Sequence, residues 1–107
     1  MSQPDRVRIA EQFAQWARGE LGNRLVRAIL FGSVARGDDR EGSDIDLLLE
    51  VRGDPVAVRR RVGPRIMEIA ADEGVFVSVF VKAHGEGAPQ ERHGIYRVID
   101  QEGRVLA

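Results

Sequence analysis

Two apolar runs, Leu25 to Phe31 and Ile45 to Val51, are joined by a polar stretch with Gly32-Ser33 at its start and Asp44-Ile45-Asp46 at its end. No other feature restricts the fold of this chain as strongly. The order reads strand, turn, short helical turn (Ser33 to Arg36), loop, strand. If Asp44 and Asp46 lie on one strand, both carboxylates share a face about 7 Å apart at the backbone. Ile45, Leu47, Leu49 and Val51 then point the other way, into a core. Adjacent acids resist ionising together unless a cation lies between them. Mg²⁺ takes one or two carboxylates and completes its shell with water and phosphate oxygens. The pair therefore suits a divalent metal that carries a nucleotide, with Asp44 and Asp46 as its ligands. Gly32 lets the backbone approach phosphate closely, and Ser33 adds a hydroxyl and a helical-turn N–H.

Taken singly, an Asp-x-Asp is most often a solvated strand start and a Gly-Ser a turn. Their combination is more specific: ten residues separate Ser33 from Asp44, and each element sits at the edge of an apolar strand. In this arrangement the chain resembles the nucleotidyltransferase signature of the DNA polymerase beta-like superfamily. It is most similar to the minimal nucleotidyltransferase (MNT) branch of single small domains. Leu30-Phe31, Ala35-Arg36-Gly37 and Ser43 take part in the resemblance. The segment Ile95 to Gly103 is similar to the closing segment of such domains.

The 107 residues are read as one domain, 1–107, large enough for one sheet and a few helices. The net charge of -1 gives no general attraction to nucleic acid or membrane, and the absence of cysteine excludes disulfides and thiolate chemistry. No signal peptide or long apolar span is present, so the expected location is cytoplasmic. A helix is expected from Pro4, capped by Ser2, to about Leu21, with Phe13 and Trp16 as packing residues. Strands are expected at Leu25–Phe31, Asp44–Val51 and Val75–Val81. A helix from Pro55 to about Glu73, capped by Asp54, should be kinked or interrupted at Gly63-Pro64. A last helix is expected over Glu91–Gln101, with a short edge strand at Val105-Leu106. Arg59, Arg60, Arg61 and Arg65 read as a solvated face, and His84 and His93 as surface residues. The fold class is α/β (α+β): a mixed sheet of three to four strands with helices mainly on one face.

The resemblance implies an Mg²⁺-dependent enzyme, with a two-metal site possible, that uses ATP or another nucleoside triphosphate. Asp44 and Asp46 would be catalytic, and Gly32, Ser33, Arg36 and Ser43 would bind the nucleotide, with Arg36 or Arg40 facing the leaving pyrophosphate. It also implies a third carboxylate on the neighbouring strand, which activates the attacking hydroxyl. Val75–Val81 holds no acid, and Ser78 stands where that carboxylate is expected. Loss of a general base costs roughly 10²–10⁴-fold in rate. Two functions follow: nucleotidyl transfer to a hydroxyl acceptor, such as a partner protein, or a weakly active or inactive antitoxin module that neutralises a HEPN-domain toxin by contact. A third, modification of a small cationic acceptor, ranks lowest. The sequence leaves open the acceptor, the nucleotide, a homo-oligomer and any binding of nucleic acid.

Overall fold

The computed structural model describes residues 4–85 and 95–107. Helix α1 spans Arg6–Leu21. The expected cap Ser2 lies outside the described residues, and the helix begins later than Pro4 because Asp5 is its cap. The Asp5 carboxylate accepts a hydrogen bond from the Arg8 N–H at 3.1 Å. Ile9, Ala10, Phe13, Ala14, Ala17 and Leu21 form its buried stripe. Trp16, partly buried, packs against the core residue Phe13 with ring centroids 5.6 Å apart, so both aromatics serve packing.

Strand β1 is Leu25–Phe31, as expected. The five-residue helix α2, Gly32–Arg36, follows without a break and starts one residue earlier than expected. Val34 anchors α2 in the core. Strand β2 is Ile45–Val51, with Asp44 immediately before it. Asp54 caps helix α3, Pro55–Glu73, through the Val56 N–H. Pro64 lies inside α3, which is not interrupted there as the sequence suggested. The Arg60 carbonyl loses its helical donor to the proline, but Arg60 and Pro64 are both exposed, so water can take that donor's place.

Strand β3 is Val77–Ala83, two residues later than expected. It pairs in parallel with β2 from Ile45↔Val77 to Val51↔Ala83, so the extent of β2 sets its own. Val75 is buried just ahead of the strand. Helix α4 is Ile95–Glu102, and the expected start at Glu91 lies outside the described residues. Strand β4, Arg104–Val105, pairs antiparallel with β1. Gly103 makes the turn between them. A β-carbon there would lie 2.5 Å from the Ile99 carbonyl oxygen and 2.7 Å from Ile29 Cγ2.

The four-stranded mixed sheet has the order β3-β2-β1-β4. Alternation along the strands sorts side chains onto two faces. Ala28, Leu30, Ile45, Leu47, Leu49, Val51, Val77 and Val79 join α1 and α3 in the main core. On the other face, Ile29, Phe31 and Leu48 pack against Ile99 and Tyr96 of α4. Lys82 of β3 lies 5.7 Å from the centre of the Tyr96 ring. Two helices thus cover one face and α4 covers part of the other. Among the described residues, no helix is long and apolar enough to cross a membrane.

Candidate active site

β1 and β2 run antiparallel, and Phe31 pairs with Asp46. This pairing brings the end of β1, where Gly32-Ser33 begins α2, to the start of β2. Ile45 and Leu47 are fully buried in the main core, which turns Asp46 between them to the opposite face. Gly32 has φ +78°. A β-carbon there would collide with Asp46 Oδ2. Glycine is therefore required twice: for the left-handed backbone and for the space that the Asp46 carboxylate fills.

Asp46 is harder to ionise than an ordinary carboxylic acid. Burial is the first cause and the neighbouring Asp44 the second, while Arg36 acts in the opposite direction. Among the described residues, no group of three or more His, Cys, Asp or Glu side chains is placed to hold a metal ion. Two carboxylates are nevertheless a donor set that suits Mg²⁺, which draws its remaining ligands from water and phosphate. The electrostatics fit as well, because a cation would relieve the tension that raises Asp46.

Arg36, at the end of α2, donates through Nε to Asp38 at 3.3 Å and through Nη1 to Glu102 at 2.8 Å. The Glu102 oxygen that receives Arg36 also accepts the Gly32 N–H, at 3.2 Å. Ser43 shapes the loop. Its hydroxyl accepts the Arg40 N–H at 2.8 Å, and its own N–H donates to the Arg40 carbonyl. The rest of this loop is tied to α1. Arg6 is 4% exposed, donates from Nε to the Ser43 carbonyl at 2.9 Å and lies 3.4 Å from Asp39.

On the other side of Asp46, the parallel register places Ser78 directly alongside it. Of the alternative acids (Glu50, Asp38, Asp39, Glu41, Asp72 and Glu73), four are engaged elsewhere. Asp38 pairs with Arg36, Asp39 with Arg6 and Glu73 with Arg8. Glu50 is buried at the far end of β2, bonded to Arg27 Nε and His84 Nδ1, each at 2.6 Å. His84 thus has a carboxylate partner that its sequence context did not reveal, while His93 lies outside the described residues. The arginine-rich side of α3 is partly engaged: Arg59 reaches the Val79 carbonyl and Arg61 pairs with Glu20.

Glu102 and Arg6 leave no mark as site residues in the sequence. Glu102 lies 70 residues from Gly32, and Arg6 lies 37 from Ser43. Neither separation leaves a local pattern. The one available signal was a charged residue on an apolar helical stripe, where Arg6 lies in phase with Ile9, Ala10 and Phe13.

A mixed sheet with Gly-Ser at the end of one strand and Asp-x-Asp at the start of its antiparallel neighbour is the nucleotidyltransferase fold. The chain belongs to the nucleotidyltransferase domain family, whose model matches residues 14–92. It is 37% identical over 65 residues to a protein of Methanocaldococcus jannaschii named "Putative protein adenylyltransferase MJ0141". That match spans 61% of this chain and 63% of the relative. Solved structures share the fold. One is a toxin–antitoxin structure with AMP-PNP (TM-score 0.58, 17% identity, 91% of this chain and 72% of that one). Another is described as a "putative nucleotidyltransferase" from Sulfolobus solfataricus (TM-score 0.52, 21% identity, 94% and 80%). A third is a tri-AMPylated HEPN toxin of Shewanella oneidensis in complex with an MNT antitoxin (TM-score 0.52, 15% identity, 94% and 71%).

Proposed function

We propose that the chain binds a nucleoside triphosphate, ATP, with Mg²⁺ and transfers its nucleotidyl group slowly to a hydroxyl of a partner protein. The observation that carries this reading is the packing of Gly32 against Asp46, which unites the two halves of the motif at one end of the sheet. Asp44 and Asp46 hold the metal. Ser33 and the backbone at Gly32 face the phosphates, Arg36 adds positive charge beside them, and Ser43 shapes the loop that carries Asp44. A divalent cation held by Asp44 and Asp46 would supply charge neutralisation for the triphosphate and the leaving group. The acceptor oxygen forms a bond to the α-phosphorus while the bond to the bridging oxygen breaks. Pyrophosphate leaves, and the hydroxyl proton passes to solvent or to a base on the acceptor. Ser78, beside Asp46, is a neutral hydroxyl and a poor base, which is why slow transfer is expected.

A protein acceptor is supported by the name of the M. jannaschii relative, and AMP as the transferred group by both that name and the AMPylated toxin complex. The same neighbours favour a small helical HEPN-domain toxin as the partner, with this chain as its antitoxin. If turnover is absent, neutralisation by binding alone is the second reading, and the lack of an acid on β3 favours it.

Calorimetric titration with Mg·ATP tests the site. Wild type should bind only in the presence of the metal, and the Asp44→Ala/Asp46→Ala double variant should not bind. Binding that is independent of metal and unchanged in the variant overturns the assignment. Labelled ATP in host extract tests the transfer, with label expected on a protein that co-purifies with the chain.

A further inference from the structure

One carboxylate oxygen, Glu102 Oε1, accepts hydrogen bonds from both ends of α2: the N–H of Gly32, its first residue, and the guanidinium of Arg36, its last. We infer that Glu102 is a positioning residue that straps α2 from outside and fixes the Gly32 peptide and Arg36 in the geometry that receives the triphosphate. The inference rests on the nucleotide-binding reading above.

Three observations carry it. First, the Gly32 N–H is taken by Glu102, so Gly32 acts on phosphate through the shape of its backbone rather than through that donor. The orientation of the peptide before Gly32 sets the direction of the loop that follows, and Glu102 fixes that peptide. Second, Arg36 meets Glu102 through one terminal nitrogen and Asp38 through Nε. A guanidinium presents five donors in a rigid fork, so restraint on one side aims the other. Third, Glu102 is itself well supported. It is the last residue of α4, whose Ile99 is buried against β1 and β2, and the chain then turns at Gly103 to join the sheet as β4. Interactions fixed before a ligand arrives raise affinity by lowering the cost of ordering it.

The opposite sign is physically reasonable and supplies the decisive alternative. A carboxylate beside the phosphate cradle adds negative charge and occupies two donors, so it would compete with the triphosphate if it acted as a plug. Substitution separates the two cases. Glu102→Gln keeps an acceptor oxygen of the same reach without the charge, and Glu102→Ala removes both.

The experiment is calorimetric titration of wild type, Glu102→Ala and Glu102→Gln with Mg·ATP. Thermal melts and hydrogen exchange of the Gly32 amide are measured on the same samples. A strap predicts at least a tenfold weaker Kd for Glu102→Ala, recovery to within about threefold of wild type in Glu102→Gln, and faster Gly32 exchange only in the alanine variant. Tighter binding by either variant overturns the inference, as does equal binding by Glu102→Ala and wild type. If Glu102→Ala melts early, weak binding by a well-folded Glu102→Gln also overturns it, because a neutral acceptor should suffice. A wild type that binds no Mg·ATP overturns the underlying reading and this inference together. A wild type that binds through Asp44 and Asp46 but ignores residue 102 overturns this inference alone.

Discussion

The carboxylate of Asp46 fills the space where any other residue at position 32 would place its β-carbon. The Gly32 turn and the Asp46 carboxylate are thus one packed unit. Gly32→Ala would have to adopt φ +78° and displace Asp46. The left-handed backbone alone costs about 1–2 kcal/mol. The expected outcome is a lower melting temperature together with a loss of Mg·ATP affinity of at least tenfold, roughly 1.4 kcal/mol or more. Calorimetry and thermal melts check both. A variant that melts early but binds normally would show that the close approach does not serve the site.

Asp46 should sacrifice stability for function. Burial, and after it Asp44, raises its pKa in the folded state. For a carboxyl group raised on folding, stability is greatest below the unfolded pKa and declines as pH rises through the folded value. At neutral pH the ionised side chain therefore opposes folding. Asp46→Asn should melt roughly 2–5 °C higher than wild type at pH 7. The gain should vanish near pH 3, and divalent-metal binding should be lost. Melts across pH, with and without Mg²⁺, give the answer.

Glu50 should behave in the opposite way. Burial alone would raise its pKa, but the hydrogen bonds from His84 and Arg27 outweigh burial and lower it. A depressed carboxylate contributes stability above its unfolded value, 4.5, and loses it as pH falls through the folded value. Wild type should lose stability below about pH 4.5 by an increment that Glu50→Gln lacks. At pH 7, Glu50→Ala should cost about 1–2 kcal/mol, since its partners are half-exposed and can return to water. Denaturant melts at pH 7 and pH 3 measure both effects.

Ser78 lies in register with Asp46 on the adjacent strand, where a carboxylate could reach the same bound ligands. Ser78→Asp should raise the rate of label transfer from ATP by at least about tenfold, less than the roughly 10²–10⁴-fold that a fully aligned general base supplies. It should also lower the melting temperature in the absence of metal, because it adds a like charge beside Asp46. A rate unchanged from wild type would show that the limit lies elsewhere.

Much of the fold was legible because its signals are local. The apolar run Leu25–Phe31 became β1 residue for residue, and the alternation through Ile45, Leu47 and Leu49 correctly set which way Asp46 faces. The Asp54-Pro55 start of α3 followed from capping chemistry. What the sequence concealed depends on distant pairing. The Val77–Ala83 bounds of β3 come from β2. The partners of Glu50 come from β1 and the turn just after β3, and Glu102 reaches the site only because α4 folds back over the sheet. The uninterrupted course of α3 through Pro64 reflects the exposed side on which the proline falls.

The antiparallel pairing of β1 with β2 has a kinetic corollary. Every motif residue between Gly32 and Asp46 belongs to one near-neighbour hairpin, whereas β3 must wait for the long crossover through α3. Contacts of low sequence separation close early in refolding, because little loop entropy opposes them. The candidate site should thus be roughed out before the sheet is complete, and its final sharpening should coincide with the docking of the C-terminal segment.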